Sequence, residues 1–229
     1  MDKVIVSEQA PVTLVGGGAA GAGDVAEALR HAPLCVAVDG GLATVLQAGA
    51  VPAAVIGDFD SVHAEDLAQV PDAVQVQVAE QESTDFEKAL ARVAAPWVIG
   101  VGFMGARVDH TLAALHALMA EPGPPCALMG AEEVVFHCPP ALSLPVRSGD
   151  VVSLFPLCAV TGRSEGLEWA IDGLRLEPGG RIGTSNRALG PVQLETDGPG
   201  LIGIIPRARW AAFMPALGSA PRHGPPPAP

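Results

Sequence analysis

Short apolar runs alternate with longer amphipathic segments in the first half of the chain. The short runs of β-branched and aliphatic residues predict strands, and the segments with apolar residues at helical spacing predict helices. Such alternation is typical of an α/β domain with a mostly parallel sheet and helices on both faces. The predicted strands are Val12–Val15, Leu34–Val38, Ala53–Ile56, Val74–Val78 and Trp97–Val101, and the predicted helices are Asp24–His31, Leu42–Ala48, Thr84–Ala94 and Asp109–Ala120.

The pattern changes in the second half, where from Gly149 onward strand candidates are broken by Gly and Pro and no convincing helix is predicted. We therefore predict an α/β domain over residues 1–138 and a smaller all-β sandwich or barrel over residues 139–218. Residues 219–229 form a predicted disordered, Pro-rich tail, because they contain too few apolar side chains to fold. The strand candidates of the second half are Val151–Phe155, Glu168–Ile171, Val192–Glu195 and Leu201–Ile205.

Composition excludes several classes of partner. The 229 residues include 13 Lys+Arg and 25 Asp+Glu, a formal net charge of -12, which argues against a nucleic-acid partner and implies that an anionic substrate needs metal ions. Four widely spaced cysteines without a C-x-x-C pair favour neither a zinc site nor a disulfide framework. No signal peptide or run of about 20 apolar residues is evident, so we expect a cytoplasmic protein with no membrane partner.

Two aspartates follow the third predicted strand, in the segment Gly57-Asp58-Phe59-Asp60-Ser61. An extended backbone would point Asp58 and Asp60 to one face, because residues two apart in a strand share a face. Two adjacent carboxylates repel one another unless a cation or a proton intervenes. A single aspartate here would be interpreted as a helix cap, but the pair favours a site for Mg²⁺, which prefers hard oxygen ligands.

Two further acidic motifs open predicted helices. Thr84-Asp85-Phe86-Glu87 fits a Ser/Thr-x-x-Glu capping box, so Asp85 is either structural or a metal ligand. In Arg107-Val108-Asp109-His110 the aspartate suits the positive end of a helix dipole, whereas an arginine does not. The guanidinium of Arg107 is better explained by bidentate contact with phosphate or carboxylate, and His110 is a minor candidate.

Glycine-rich turns follow the first two long strands. Gly16–Gly21 formally contains G-x-G-x-x-G, but a tight turn is the better interpretation than a dinucleotide site in a chain with 27 glycines. In Asp39-Gly40-Gly41 the glycines permit close backbone approach, and the following helix start offers N–H groups to an anion. Asp39 is alternatively an N-cap.

In the β half, Trp169 and the segment Thr184-Ser185-Asn186 attract attention. They are either a core tryptophan and an ordinary polar turn, or an aromatic face with hydroxyl and amide groups that orient a flat cationic ring.

This ordered set of motifs resembles that of the thiamine pyrophosphokinase family. The resemblance runs from about Val12 to Ile205 and spans both halves of the chain. Gly-Asp-Phe-Asp-Ser is a specific motif by itself, and the others become specific in combination. The motifs are Asp39-Gly40-Gly41, Gly57-Asp58-Phe59-Asp60-Ser61, Ser83–Leu90, Arg107–Leu112, Gly166-Leu167-Glu168-Trp169 and Gly183-Thr184-Ser185-Asn186.

The resemblance implies an N-terminal α/β catalytic domain, a C-terminal β domain that helps to bind thiamine, and a homodimer. It implies transfer of the pyrophosphoryl group of ATP to the thiamine hydroxyl, giving thiamine diphosphate and AMP. On that basis the site residues fall into three groups. Asp58, Asp60 and Asp85 would hold Mg²⁺, with Asp39 nearby; Arg107, Asp109, Gly40, Gly41 and His110 would lie at the nucleotide end; and Trp169, Thr184, Ser185 and Asn186 would lie at the thiamine end.

The chain departs from the family pattern at Gln81-Glu82, where the family usually has Lys-Asp. Three alternatives stay open. The first is a haloacid-dehalogenase-type phosphatase with Asp58 as nucleophile and Asp60 as acid/base, although two βα units precede the motif. The second is a pyrophosphokinase acting on a hydroxymethylated pterin, and the third is a nucleotide- or thiamine-sensing module without turnover.

Overall fold

The computed structural model describes residues 4–120 and 123–224. Contacts between residues divide the chain into a first unit, Met1–Ala131, and a second unit, Glu132–Pro229. Among the helices described, none has the length and apolar content that crossing a bilayer requires.

The first unit consists of strands and helices in alternation, as the apolar pattern predicts. Its strands are β1 (Val6–Ser7), β2 (Val12–Val15), β3 (Leu34–Val38), β4 (Ala54–Gly57), β5 (Gln75–Gln77), β6 (Val93–Ala94), β7 (Val98–Val101) and β8 (Cys126–Met129). Its helices are α1 (Ala22–Leu29), α2 (Leu42–Gln47), α3 (Ala64–Leu67), α4 (Asp85–Leu90) and α5 (Val108–Ala120).

Six of these strands form a parallel sheet in the order β8-β7-β2-β3-β4-β5. Every residue of β2, β4 and β7 is buried, as expected for strands covered on both faces. The chain first builds outward from β2 through β3, β4 and β5, and then continues on the other side of β2 with β7 and β8. Ligands of such sheets bind beyond the carboxyl ends of the strands where the order reverses, which here is beside β2.

One helix of the first unit is shorter than predicted. The helix expected over Thr84–Ala94 ends at Leu90, and Val93–Ala94 instead forms β6, which pairs in parallel with β1. The carbonyl oxygen of Arg92 accepts hydrogen bonds from the backbone N–H groups of Ile5 and Val6, at 2.8 and 3.2 Å. This pairing with the N-terminal segment keeps the backbone extended where local spacing favoured a helix.

The second unit is antiparallel. Its strands are β9 (Glu133–His137), β10 (Ala141–Leu144), β11 (Val151–Pro156), β12 (Gly162–Leu167), β13 (Gly183–Thr196) and β14 (Leu201–Pro206), and its helix is α6 (Trp210–Ser219). The first residues of the long β13 pair with β11, and its last residues pair with β10. β12 pairs with the second half of β13. β11 also pairs with β14, and β14 pairs with β9. The predicted fold class, an α/β part followed by a β-rich part, is confirmed.

Three predictions for the second half need correction. β9 pairs with β14, so residues 132–138, which we assigned to the first domain, belong to the second unit. The strand expected over Glu168–Ile171 does not form: Glu168 and Trp169 lie in a bend, and the strand lies earlier, at β12.

The third correction concerns α6, which was not predicted. Phe213 packs against Phe136, with ring centroids 4.4 Å apart. Pro215 and the Pro-rich flank hid an apolar stripe at helical spacing. The prediction of a disordered tail from residue 219 is therefore wrong for the described part: Ser219 ends α6, and Nε2 of His223 lies 2.9 Å from the carbonyl oxygen of Cys138. Residues 225–229 lie outside the described residues. The buried stripe is Trp210, Phe213, Met214 and Leu217.

Candidate active site

A cleft of roughly 620 Å³ lies beyond the carboxyl ends of the parallel strands in the first unit. Its walls come from the turns that follow β2, β3, β4 and β7 and from the start of α4. This is the crevice that the strand order indicates for a ligand. The predicted site residues of the first unit that line it are Asp39, Gly40, Asp58, Asp60, Asp85, Arg107 and His110.

Three aspartates meet in the cleft. One carboxylate oxygen from each of Asp39, Asp58 and Asp60 lies within 4.8 Å of the other two. Asp39 is buried, Asp58 is partly buried and Asp60 is exposed. We call these three residues the acidic cluster. Its spacing suits oxygen coordination of one divalent cation.

The backbone brings Asp58 and Asp60 together in a way that the sequence did not predict. Phe59 between them has φ +70°, so the segment is a left-handed turn and not an extended strand. The backbone N–H of Asp60 donates to Oδ1 of Asp58 at 3.2 Å. The two carboxylates still converge, because this local turn replaces the alternation expected of a strand.

Asp39 carries an unpaired buried oxygen. The side chain is 8% exposed, and Oδ1 accepts no hydrogen bond from the residues that the structure describes. Burial raises the pKa of Asp39, the Gly40 N–H opposes that effect, and the charges of Asp85, Asp60 and Asp58 add to it. A buried carboxylate oxygen without a donor fits a bound cation.

Asp39 is also held in a conformation that favours few residue types. Its φ is +45°, in the left-handed region that aspartate and asparagine tolerate better than most residues. A Cβ at Gly57 would lie 2.9 Å from the Cβ of Asp39, so glycine at the end of β4 leaves room for this side chain. The sequence placed Asp39 near the metal; the structure places it within the acidic cluster.

Asp85, a predicted metal ligand, pairs with a lysine in the structure. Its Oδ1 lies 2.9 Å from Nζ of Lys88, and the same ammonium lies 3.5 Å from Oδ2 of Asp58. Asp85 therefore connects to the acidic cluster through Lys88 and is not one of the three converging carboxylates. The predicted capping box is confirmed, since Thr84 and Glu87 exchange hydrogen bonds at the start of α4.

Sequence reasoning missed Lys88. Its side chain is 2% exposed, between apolar neighbours on a short helix. Burial lowers the pKa of Lys88, but hydrogen bonding and the charge of Asp85 outweigh that effect and raise it overall. A lysine three residues after Asp85, within an otherwise apolar helical face, was the available signal.

Gln81 also contacts the acidic cluster. Its Nε2 donates to Oδ2 of Asp58 at 3.0 Å. The pKa of Asp58 is lowered, first by the N–H of Asp60 and then by the Gln81 amide. Gln81 is thus a neutral donor to a carboxylate of the cluster.

Arg107 and Asp109 form an exposed pair at the end of the cleft. Nη2 and Nε of Arg107 lie 2.6 and 3.1 Å from the two carboxylate oxygens of Asp109. The hydrogen bond from Arg107 lowers the pKa of Asp109 to about 2. Asp109 also accepts from the N–H of His110 at 3.0 Å. Asp109 therefore orients Arg107 and stays outside the acidic cluster.

The glycines beside β2 allow close packing of two turns. Gly18 N donates to the carbonyl oxygen of Gly102 at 2.7 Å, and a Cβ at Gly18 would clash with the same peptide. At Gly41 a Cβ would clash with the carbonyl oxygen of Val15. This packing agrees with the tight-turn interpretation of Gly16–Gly21.

In the second unit, Asn186 fixes the backbone that carries Trp169. The Asn186 amide is 5% exposed; its Nδ2 donates to Trp169 O at 2.6 Å and its Oδ1 accepts from Trp169 N at 3.2 Å. Trp169 is 58% exposed, so it is not a core residue. Ser185, with φ +61°, donates its N–H to Oγ of Ser153 at 2.9 Å, and Thr184 is exposed.

Comparison with known proteins follows the same division of the chain. The sequence profile described as "Thiamin pyrophosphokinase, catalytic domain" matches residues 25–127, and "Thiamin pyrophosphokinase, vitamin B1 binding domain" matches residues 135–201. A thiamine pyrophosphokinase of Bacillus subtilis is 35% identical over 91 residues, which is 37% of this chain and 42% of the relative. The aligned segment therefore spans less than half of that relative.

Solved structures resemble the whole fold. A thiamin pyrophosphokinase from Geobacillus thermodenitrificans aligns with a TM-score of 0.70 and 25% identity, covering 86% of this chain and 96% of that one. The enzyme from Candida albicans aligns with a TM-score of 0.74, covering 88% and 92%, at 14% identity, so that likeness concerns the fold alone.

Proposed function

The chain belongs to the thiamin pyrophosphokinase family, and from this premise we propose that it transfers the pyrophosphoryl group of ATP to the hydroxyl of thiamine, giving thiamine diphosphate and AMP. The observation that carries the proposal is the acidic cluster in the cleft, with the unpaired buried oxygen of Asp39. Such a cluster suits a divalent metal ion that also binds a triphosphate. The positive charge of the ion offsets the negative charges of the carboxylates and of the phosphate groups.

In this proposal Asp39, Asp58 and Asp60 hold Mg²⁺. When bound, the ion neutralises negative charge on the phosphate oxygens of ATP during transfer. Asp85 supports the site through Lys88, because its carboxylate accepts from the same ammonium that contacts Asp58.

Arg107 supplies fixed donors at the phosphate end. Asp109 accepts from Nε and Nη2, and a guanidinium has five N–H donors in total, so others are left for a phosphate oxygen. Since both side chains are more than 60% exposed, their pairing costs little to loosen when a phosphate arrives. We assign the nucleotide end to this pair, His110 and the backbone of Gly40 and Gly41.

The thiamine hydroxyl must attack the β-phosphorus in line while AMP leaves. A loose phosphoryl transition state needs little prior deprotonation of the nucleophile, so positioning contributes more than a strong general base.

The second unit supplies the thiamine end in this proposal. The exposed Trp169 ring suits a flat cationic ring, with which an aromatic face interacts favourably. Thr184 and Ser185 offer polar groups, while Asn186 acts through the Trp169 backbone. A homodimer and a cytoplasmic location remain expectations; light scattering in solution tests the first.

Release of AMP from Mg-ATP in the presence of thiamine tests the activity. Asp58→Asn and Asp60→Asn should each lower turnover by orders of magnitude and leave the fold intact, whereas Asp72→Asn, an exposed aspartate outside the cleft lining, should not. A phosphatase would release inorganic phosphate, and a sensing module would bind without releasing AMP. Either result, or retained turnover in both cluster variants at saturating Mg²⁺, would refute the proposal.

A further inference from the structure

Lys88 is a buried cation beside the proposed metal site. Its side chain is 2% exposed, and its ammonium contacts Asp85 at 2.9 Å and Asp58 at 3.5 Å. A buried ammonium is stable only when it is paired and hydrogen-bonded. The lysine stem packs in the core of the first unit, and its charged end is directed at the cleft, which Lys88 helps to line.

The position of the ammonium matters because Asp58 belongs to the acidic cluster. One carboxylate oxygen from each of Asp39, Asp58 and Asp60 lies within 4.8 Å of the other two, and the Lys88 ammonium joins Asp85 to Asp58, so four carboxylates are close together. Lys88 offsets one of these charges without any metal. A divalent ion held by the cluster would share Asp58 with this ammonium and would be repelled by it.

Gln81 adds a second observation. It donates to Oδ2 of Asp58, the oxygen that Lys88 also approaches. The Gln81 amide is neutral, so of these two partners of Asp58 only Lys88, on α4, carries a positive charge. Lys88 is thus the partner that offsets the negative charge of Asp58.

We propose that Lys88 is a positioning residue that keeps the acidic cluster assembled without metal and weakens its binding of free divalent ions, so that the metal enters chiefly as its complex with the nucleoside triphosphate. This inference rests on the proposed function for the role of the metal. The triphosphate brings its own negative charge, which offsets the repulsion between Lys88 and the ion. A bare ion has no such compensation.

The first test measures the dissociation constant of Mn²⁺ by electron paramagnetic resonance, without nucleotide, in the wild type and in Lys88→Met. The variant should melt at a lower temperature without metal, because Asp58 and Asp85 lose their partner. It should nevertheless bind Mn²⁺ roughly tenfold more tightly, because a nearby positive charge is gone. If Lys88 were purely structural, Lys88→Met would bind Mn²⁺ more weakly than the wild type, because a disordered cluster is a poorer metal site. Unchanged or weaker Mn²⁺ binding in a folded variant would overturn the proposal. Lys88→Arg keeps the charge and should stay within about twofold of the wild type.

The second test does not depend on a buried substitution. Gln81 is exposed, so Gln81→Lys should fold and place another ammonium at Asp58, weakening Mn²⁺ binding by roughly tenfold. Gln69→Lys makes the same charge change at an exposed position on another part of the unit and should leave the constant within about twofold. Tighter or unchanged binding in Gln81→Lys would refute the inference.

The two proposals fail in different ways. If the wild type releases AMP with thiamine while neither Lys88→Met nor Gln81→Lys shifts Mn²⁺ binding as stated, the inference about Lys88 is wrong and the proposed activity stands. If both shifts occur but no AMP is released, Lys88 controls the metal site and the proposed reaction is wrong.

Discussion

Replacement of Asp39 by asparagine should stabilise the protein without metal and destabilise it relative to the wild type with metal. Asp39 is buried, its Oδ1 has no partner among the described residues, and neighbouring carboxylates repel it. Asparagine is nearly isosteric, has no charge and tolerates the left-handed φ of +45° at this position. Asp39→Asn therefore removes an electrostatic cost and keeps the backbone.

The expected gain is about 1–2 kcal/mol without metal, because the neutral amide is not repelled by the neighbouring carboxylates, and one such repulsion at about 4 Å is worth roughly 1 kcal/mol in water. In a chain of 229 residues each kcal/mol shifts the Tm by roughly 2–4 °C. With bound metal, we expect the wild type to be more stable than Asp39→Asn. At a free concentration 100 times its dissociation constant, a divalent ion stabilises the wild type by about 2.7 kcal/mol, whereas a variant that binds roughly 100-fold more weakly gains about 0.4 kcal/mol.

Thermal unfolding with EDTA and with saturating Mg²⁺ measures both effects. Asp39→Ala is the matched control, because alanine also removes the charge but is strained at positive φ by about 1–2 kcal/mol, so it should gain little without metal. The reasoning is refuted if Asp39→Asn is no more stable than the wild type in EDTA, or if Mg²⁺ raises the Tm of both proteins equally.

Other contacts give further predictions. Arg209 forms a bidentate pair with Asp150 at 2.6 and 3.0 Å between the start of α6 and the turn before β11, so Arg209→Met should lower the Tm of the second unit by several degrees in differential scanning calorimetry. The hydrogen bond from Arg209 lowers the pKa of Asp150; the stabilisation is therefore present above the unfolded pKa of about 3.9 and is lost as the pH falls through the lower folded value. The Tm difference between wild type and Arg209→Met should be full at pH 7 and close on acidification, and a difference independent of pH would contradict this explanation. Asn186→Ala should raise the KM for thiamine with a smaller effect on kcat, because Trp169 loses its backbone support; an unchanged KM would show that Asn186 does not position the ring.

The elements that the sequence predicted well are those whose own residues decide them. β2 and β3 were predicted with their observed ends. A short, continuous apolar run between polar turns is typical of a strand that is buried on both faces of a parallel sheet. The capping box at Thr84 is equally local, since its two partners are three residues apart. The fold class follows from the alternation of such elements along the chain.

The errors arose where distant segments compete for a residue. α4 stops at Leu90 because the N-terminal strand β1 pairs with Val93–Ala94. β9 belongs to the second unit because it pairs with β14, more than sixty residues further along the chain. Helix α6 was hidden by its proline, and its apolar stripe is recognisable only once Phe136 is seen to pack against it.

The candidate site shows the same limit. The motifs nominated Asp58 and Asp60, because carboxylates after a strand of a parallel sheet lie at the edge where ligands bind. They left Asp85 open between a helix cap and a metal ligand, and the family resemblance added it to the metal set. Only the tertiary structure showed that Asp39 belongs to the acidic cluster and that its Oδ1 has no partner among the described residues. It also showed that the Lys88 ammonium lies between Asp58 and Asp85. The sequence by itself thus determined which residue types reach the cleft and in which order of strands. Their partners were decided by tertiary structure, because side-chain pairing and burial depend on distances between segments that periodicity does not encode.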